Sequence, residues 1–252
     1  MRHGGRAGSA VAAALSVLVI FGAVYAPGAV SAAVTKRVLP VYSVEREEKL
    51  CALTFDAAWG NEDTQTLIDI LGRYDVKATF FVVGSWAEKY PESVRALHEA
   101  GHEVMNHSDT HPHMNALTSS QIEAELKECN RKVERVTKSS PTLFRCPYGE
   151  YDDHVIATVN ALGMTAVQWD VDSLDWKDYD AATISGRVCS RVKPGSIILF
   201  HNAALHTPEA LPEILEYLQR EGYKAVKVSE LLLQGDTTID NTGRQFPRSN
   251  AA

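Results

Sequence analysis

Leu50-Cys51-Ala52-Leu53-Thr54-Phe55-Asp56 is a short, nearly unbroken apolar run that closes on a carboxylate. Such a run suits a parallel strand, whose two faces are both covered and therefore both apolar. Six further runs share this character: residues 78–83, 102–106, 142–144, 165–169, 196–200 and 225–228. The segments between them carry helical spacing instead. Leu67, Ile70 and Leu71 fall on one face of 64–74, Val94 and Leu97 on one face of 87–100, and Ile122, Leu126, Cys129 and Val133 on one face of 119–136. Residues 152–162 repeat the pattern with Val155, Ile156 and Val159, and 208–221 with Leu211, Ile214, Leu215 and Leu218. Thr118, ahead of Ser119-Ser120-Gln121, offers an N-cap, and Gly101, Gly163 and Gly222 sit where a C′ glycine ends a helix. Alternating strands and helices make a parallel α/β fold. About seven strands fit a (β/α) barrel as well as an open sheet.

The flanks read differently. Arg2 and Arg6 precede an apolar run at 10–25, Pro27 and Gly28 break it, and small residues follow at 29–33. That order is a secretory signal, with cleavage after Ala32 or Ala33; an N-terminal membrane anchor is the alternative reading of 1–33. Either places the folded part outside the cytoplasm. Residues 34–48 read as a linker, 49–234 as one domain, and the polar, aperiodic 235–252 as a disordered tail. Of 252 residues, 45% are hydrophobic and 23% charged, which is ordinary globular usage and excludes a coiled coil or a collagen-like chain. The net charge is −7, and −9 once Arg2 and Arg6 are removed. Binding to nucleic acid, which calls for a basic face, is disfavoured. Cys51, Cys129, Cys146 and Cys189 permit up to two disulfides, but Cys51 and Cys146 lie in strand-like surroundings and read as buried thiols.

Residues that carry chemistry gather just after the strands, where α/β active sites are built. Asp56 ends the first, although a helix cap or ion-pair partner would look the same. His107 and His111, in H-S-D-T-H, follow the third. In a helix this spacing puts both imidazoles on one face, where they can share Zn, Fe, Co or Ni. His113 falls out of phase and reads as surface. Arg145 opens R-C-P-Y-G, a turn that can aim N–H groups at an oxyanion and a guanidinium at a carboxylate; a plain turn with a surface Arg is the alternative. W-D-V-D-S-L-D-W at 169–176 mixes acids with aromatics as a sugar cleft does, or as a core Trp with capping Asp residues does. His201 ends the sixth run, where an imidazole can serve as an acid near neutral pH. Five such clusters, each after a different strand, are hard to explain as accident.

In order, T-F-D, H-S-D-T-H, R-C-P-Y-G, D-S-L-D-W and L-F-H resemble the motifs of the NodB-homology polysaccharide deacetylases, carbohydrate esterase family 4, over roughly residues 48–233. T-F-D-A-A-W-G is most similar to the sporulation-associated branch. The resemblance implies a distorted (β/α) barrel and metal-dependent hydrolysis of N-acetyl groups on GlcNAc or MurNAc units of peptidoglycan or a chitin-like glycan. It implies that His107 and His111 hold a divalent metal, Zn or alternatively Co or Ni. It makes Asp56 the general base, oriented by Arg145, and places the N–H of Tyr148 at the oxyanion. His201 becomes the acid for the leaving amine, oriented by Asp175, and Trp176 and Leu199 wall the acetyl pocket.

The same resemblance marks a departure. The family usually has a second Asp after the base, as third metal ligand; here that position is Ala57. Catalytic Zn usually has three protein ligands. Asp109, Glu62, Asp63 and Asn106 lie nearby in sequence as replacements. Cys146 stands where the family commonly has Pro. Two expectations follow: a deacetylase with an altered metal site, or a glycan-binding protein of the cell wall or spore envelope that has lost turnover.

Overall fold

In the computed structural model, which describes residues 37–248, strands and helices alternate. In chain order they are β1 (Ser43–Val44), β2 (Leu50–Ala57), α1 (Thr64–Arg73), β3 (Thr79–Val82), α2 (Gly84–Lys89), α3 (Pro91–Glu99) and β4 (Glu103–Asn106). There follow α4 (Ser119–Thr137), β5 (Leu143–Phe144), α5 (Asp153–Ala161), β6 (Thr165–Ala166), β7 (Val171–Asp172), α6 (Ala181–Cys189) and β8 (Ser196–His201). The last elements are α7 (Thr207–Arg220), β9 (Lys224–Ala225), α8 (Val228–Leu231), β10 (Thr237–Ile239) and β11 (Arg244–Pro247). The expected signal or anchor at 1–33 lies outside the described residues. Among those described, no helix is long and apolar enough to cross a membrane.

The sheet order is β10-β11-β1-β8-β2-β3-β4-β5-β6, with β7 on β8 and β9 on β2. All seven expected strands are present, and β2 lies at their centre, parallel to β3, β8 and β9. Its residues alternate between two layers. Cys51, Leu53, Phe55 and Ala57 join the cluster that contains Leu67 and Leu71 of α1 and Ile214 and Leu215 of α7. There Phe55 stacks between Phe80 and Phe200, with ring centroids at 4.7 and 5.4 Å. Ala52, Thr54 and Asp56 face the other way. An unbroken apolar strand therefore serves both layers and still aims its terminal carboxylate inward.

Four expectations need correction. Residues 34–48 are not simply a linker: Val41 bridges Val167 in parallel, Ser43 pairs with Ser196 of β8, and Val41 and Val44 are buried. This segment fills the gap between β6 and β8 and completes the distorted (β/α) barrel. The tail expected to be disordered carries the β10–β11 hairpin, and β11 pairs with β1. Strand pairing attaches it, with Ile239 packed against the core, so its sequence shows no apolar periodicity. The helix expected over 87–100 is two, divided at Tyr90-Pro91, because Pro91 opens a new helix at its first turn. The run 225–228 is a strand only at Lys224–Ala225, and Val228 begins α8. Helix α6 went unpredicted; only Ile184 and Val188 mark its buried apolar face, and Asp180 caps it by accepting from the N–H of Thr183 at 2.8 Å. All four cysteines are free thiols.

Candidate active site

The parallel strands deliver the sequence clusters to one rim. Asp56 is in register with His201 of β8 and Phe81 of β3, and His107 and Arg145 directly follow β4 and β5. Arg145 is fully buried, not a surface residue. One guanidinium nitrogen, Nη1, donates to Asp56 Oδ1 at 2.8 Å and to Thr54 Oγ1 at 2.9 Å, while Nη2 donates to the carbonyl of Gln168 at 3.1 Å. Its plane lies over the Phe81 ring, 4.2 Å from the centroid. A guanidinium tied at several points is a rigid partner. Burial alone would push the Asp56 carboxyl up, but Arg145 and then His107 outweigh it, and the carboxyl is held below its usual range. Asp56 Oδ2 is left facing His107 Nε2 at 3.5 Å.

The H-S-D-T-H segment is a loop, not the helix that its i, i+4 spacing suggested. Ser108 and His111 take left-handed φ angles of 67° and 60°, which side chains other than Gly adopt only where the surroundings fix them. Asn106 Oδ1 accepts from the N–H of Ser108, and Ser108 Oγ accepts from the N–H of His111. The fold thus brings the two imidazoles together by another route, with ring centroids 5.0 Å apart. His107 Nδ1 lies 2.8 Å from the carbonyl of Arg145, which can only accept, so Nδ1 carries the proton and Nε2 the lone pair. Burial lowers the pKa of both rings, that of His111 to about 4 with further help from His107, so both are neutral at neutral pH. His113 is exposed as expected; it stacks on Tyr148 at 4.5 Å and pairs with Glu150 at 2.8 Å.

Across the pocket, His201 Nδ1 meets Asp175 Oδ1 at 2.8 Å. Fully buried Asp175 also accepts from the N–H of His201 and from Thr207 Oγ1 through Oδ2. Burial opposes the His201 cation, but the Asp175 hydrogen bond and charge prevail and raise its pKa. Nε2 is the ring nitrogen left for the pocket. Leu174 adopts a left-handed φ of 56° ahead of the short turn that carries Asp175 and Trp176. Tyr148 does the same at 59°. In its turn, Gly149 and Glu150 donate their N–H groups back to Cys146 and Pro147, a bond that the N–H of Tyr148 does not make among the described residues.

Asp56, His107, His111 and His201 form the floor of a cavity of about 410 Å³, with Trp59, Tyr148, Trp169, Trp176 and Leu199 among its walls. Asp172, from the acid–aromatic segment, also lines it, as does Trp59, whose only signal in sequence was its place in T-F-D-A-A-W-G. Of the candidate replacements for the third ligand, none turns to the cavity. Asp109 pairs with Lys132, Asp63 accepts from the N–H of Ala203, Glu62 from that of Asn61, and Asn106 serves Ser108 and Leu126. Two neutral imidazoles, one with its tautomer fixed by a carbonyl, are the donor chemistry a divalent ion takes. That chemistry fits at two positions and stops there: among the described residues no group of three His, Cys, Asp or Glu forms a ready metal site.

A barrel with a buried carboxylate–guanidinium pair, two facing imidazoles and an Asp-held His defines a hydrolase-type site. The chain belongs to the polysaccharide deacetylase family, carbohydrate esterase family 4. That family's profile matches residues 43–167. The chain is 38% identical over 151 residues to a chitooligosaccharide deacetylase of Sinorhizobium fredii, covering 60% of this chain and 70% of that one. It is 35% identical to the peptidoglycan-N-acetylmuramic acid deacetylase PdaC of Bacillus subtilis, over 75% of this chain but only 40% of that protein's length. Among solved structures, a family 4 pseudoenzyme from Bacillus anthracis superposes with a TM-score of 0.74 at 35% identity, covering 76% of this chain and 68% of that one. A mutant of that protein with restored enzymatic activity superposes at 0.73, with 36% identity over 76% of this chain and 70% of that one.

Proposed function

We propose that the protein is an N-deacetylase of GlcNAc- or MurNAc-containing glycan, outside the cytoplasm, with a metal site short of one anionic ligand. The observation that carries this reading is the opposition of two preserved pairs, Asp56–Arg145 and His201–Asp175, across one cavity. A binding protein has no use for a base and an acid biased in opposite directions. Held low, Asp56 is ionised at neutral pH and takes a proton from the attacking water at Oδ2. Raised by Asp175, the His201 pKa favours the protonated form, which gives its Nε2 proton to the departing amine nitrogen. The depressed and raised pKa values widen the pH window in which both forms coexist. The N–H of Tyr148 faces the oxyanion, and Leu199 and Trp176 receive the acetyl methyl. His107 and His111 would hold a divalent ion, Zn or alternatively Co or Ni. The chemistry such an ion supplies when bound is Lewis acidity toward water and an amide carbonyl.

A second reading has its own support. Ala57 and the likeness to a pseudoenzyme favour a glycan-binding protein without turnover. Acetate release from N-acetylated peptidoglycan and from chitooligosaccharides, with and without Zn, Co or Ni, separates the two. The deacetylase releases acetate when metal is added. No release from either substrate with any metal leaves the binding protein.

A further inference from the structure

The Asp175 carboxylate is fully buried, so the donors that keep it ionised come from the protein. Two of them belong to His201: Nδ1 reaches Oδ1 and the backbone N–H reaches Oδ2, each at 2.8 Å. Another element supplies the third. Thr207 Oγ1 donates to Oδ2 at 2.7 Å. Thr207 is itself fully buried and is the first residue of α7. A hydroxyl at a helix start commonly serves the free backbone N–H groups there. Thr207 gives its hydroxyl instead to a residue 32 positions earlier, although no side chain caps α7 and His206 at the N-cap pairs with Glu209. Beside the start of a 14-residue helix the carboxylate also gains from the positive end of the helix dipole. The bonds from His201 hold the carboxylate and the imidazole to each other. The bond from Thr207 holds both to α7.

We propose that Thr207 is a positioning residue for the proton donor: by occupying Oδ2 of Asp175 it keeps Oδ1 on His201 Nδ1 and the deliverable proton on Nε2. It also sets how tightly that proton is held. With His201 neutral, the buried carboxylate carries its charge with no cation beside it, and the hydroxyl is one of its few compensating dipoles. With His201 protonated, the pair is neutral and needs the hydroxyl less. Removing the hydroxyl therefore disfavours the neutral imidazole and tightens the proton. A proton held more tightly is a poorer one to deliver to a departing amine. The other charged or titratable groups that face this pair are Asp56 on β2, Asp63 in the loop after it, Asp172 on β7, and the imidazoles of His107 and His111. A change at position 207 alters none of them. The role of Thr207 rests on the deacetylase reading for the fate of the proton alone, since where the proton sits is a property of the chain.

Titration of the His201 imidazole by NMR in the metal-free full chain tests it, with the resonance assigned by its loss in His201→Gln. Thr207→Val keeps the shape and removes the donor, whereas Thr207→Ser keeps the donor and removes a methyl. Thr207→Val should raise the His201 midpoint by about half to one pH unit, or about three- to tenfold in proton affinity. Thr207→Ser should leave it near the wild-type value. His206, one residue away and paired with Glu209, should not move in either variant. A merely structural residue gives another pattern: both variants melt lower and the His201 midpoint stays. Thermal melts identify a variant that has not folded, and Thr207→Ala then makes the comparison in place of Thr207→Val. An unmoved or lowered midpoint in the folded variant that lacks the donor, or a Ser variant that moves as far, would overturn the role. Because no acetate is measured, absent deacetylation leaves the outcome intact, and an unmoved midpoint leaves the deacetylase reading standing.

Discussion

Ala57 is one residue beyond Asp56, and strand alternation turns it to the opposite side. It is buried in the apolar layer with Val83 and Trp86, while Asp56 reaches the Arg145 guanidinium. The loss of a carboxylate at 57 therefore leaves a well-packed apolar residue rather than a hole. This gives Ala57→Asp a double signature. Without metal, a carboxylate introduced into this layer lacks a partner, costs about 2 kcal/mol and lowers Tm by roughly 5 °C in a domain of this size. With Zn it gains one, and a ligand that binds only the folded state raises stability. The Zn-induced rise in Tm should be larger in Ala57→Asp than in wild type, as measured by calorimetry with and without the ion. Equal rises in both proteins would show that position 57 has no access to the imidazoles. Single residues were the most legible scale. Asp56, Arg145 and His201 stood out because each is a charged or titratable group at or just after the end of an apolar strand, where burial needs a partner, whereas Asp175, in a turn past β7, was given a role only by the family resemblance. Trp59 escaped, since an aromatic residue signals a core as readily as a surface.

At the scale of elements, helix α4 does more than cover the sheet. Glu125 on its exposed side reaches the histidine loop, where Oε2 accepts from the N–H groups of Asp109 and Thr110 and Oε1 from Thr110 Oγ1, all at 2.8 Å. One helical step of seven further on, Lys132 holds the Asp109 carboxylate at 2.9 Å and Glu88 of α2 at 3.0 Å. These contacts offset the left-handed backbone at Ser108 and His111 and fix where the imidazoles point. Glu125 is thus a positioning residue. Glu125→Ala should weaken Zn binding about tenfold or more, in the range typical of outer-shell contacts to metal ligands. Glu125→Gln should restore it to within a few-fold, because its carbonyl can accept both N–H groups and its amide can donate to Thr110 Oγ1. Competition titration against a Zn chelator reads both; an Ala variant that keeps wild-type affinity removes the role. None of this was visible in sequence. The apolar spacing of α4 announced its buried face, and its Thr118 capping box formed as expected. A helix's polar side carries no sign of which loop it will meet, and the i, i+4 rule put His107 and His111 side by side, as they are, but through the wrong local structure.

At the scale of the whole molecule, the strand–helix alternation was legible and the closure was not. Seven apolar runs announced parallel strands, open or closed; the two ends that complete the barrel, one of them burying only Val41 and Val44, gave no such signal. The segment before β2 and the final hairpin meet at the edge beyond β8. The N–H of Tyr42 donates to the carbonyl of Gly243, that of Glu45 to the carbonyl of Gln245, and that of Leu233 to Gln245 Oε1. Gly243 sits at φ 83°, and a Cβ there would come within 2.3 Å of the Tyr42 ring, so the turn is fitted to its partner. Asp240 Oδ1 closes the turn by accepting from Thr242 and Arg244. A chain ending at Gln234 loses these three links and uncovers the β1 edge. At about 1 kcal/mol for each hydrogen bond, less what water returns to the exposed groups, the cost is roughly 2–3 kcal/mol, or about 5–10 °C in Tm. The rim of the cavity should survive, because β1 still pairs with β8 through Ser43 and no described residue after 234 lines the cavity. Truncation should therefore lower Tm while leaving chitotriose affinity unchanged, as read by calorimetry of both. A disordered tail makes the opposite prediction, since removing it would not move the melt. An unchanged Tm would mean that the barrel closes without the hairpin.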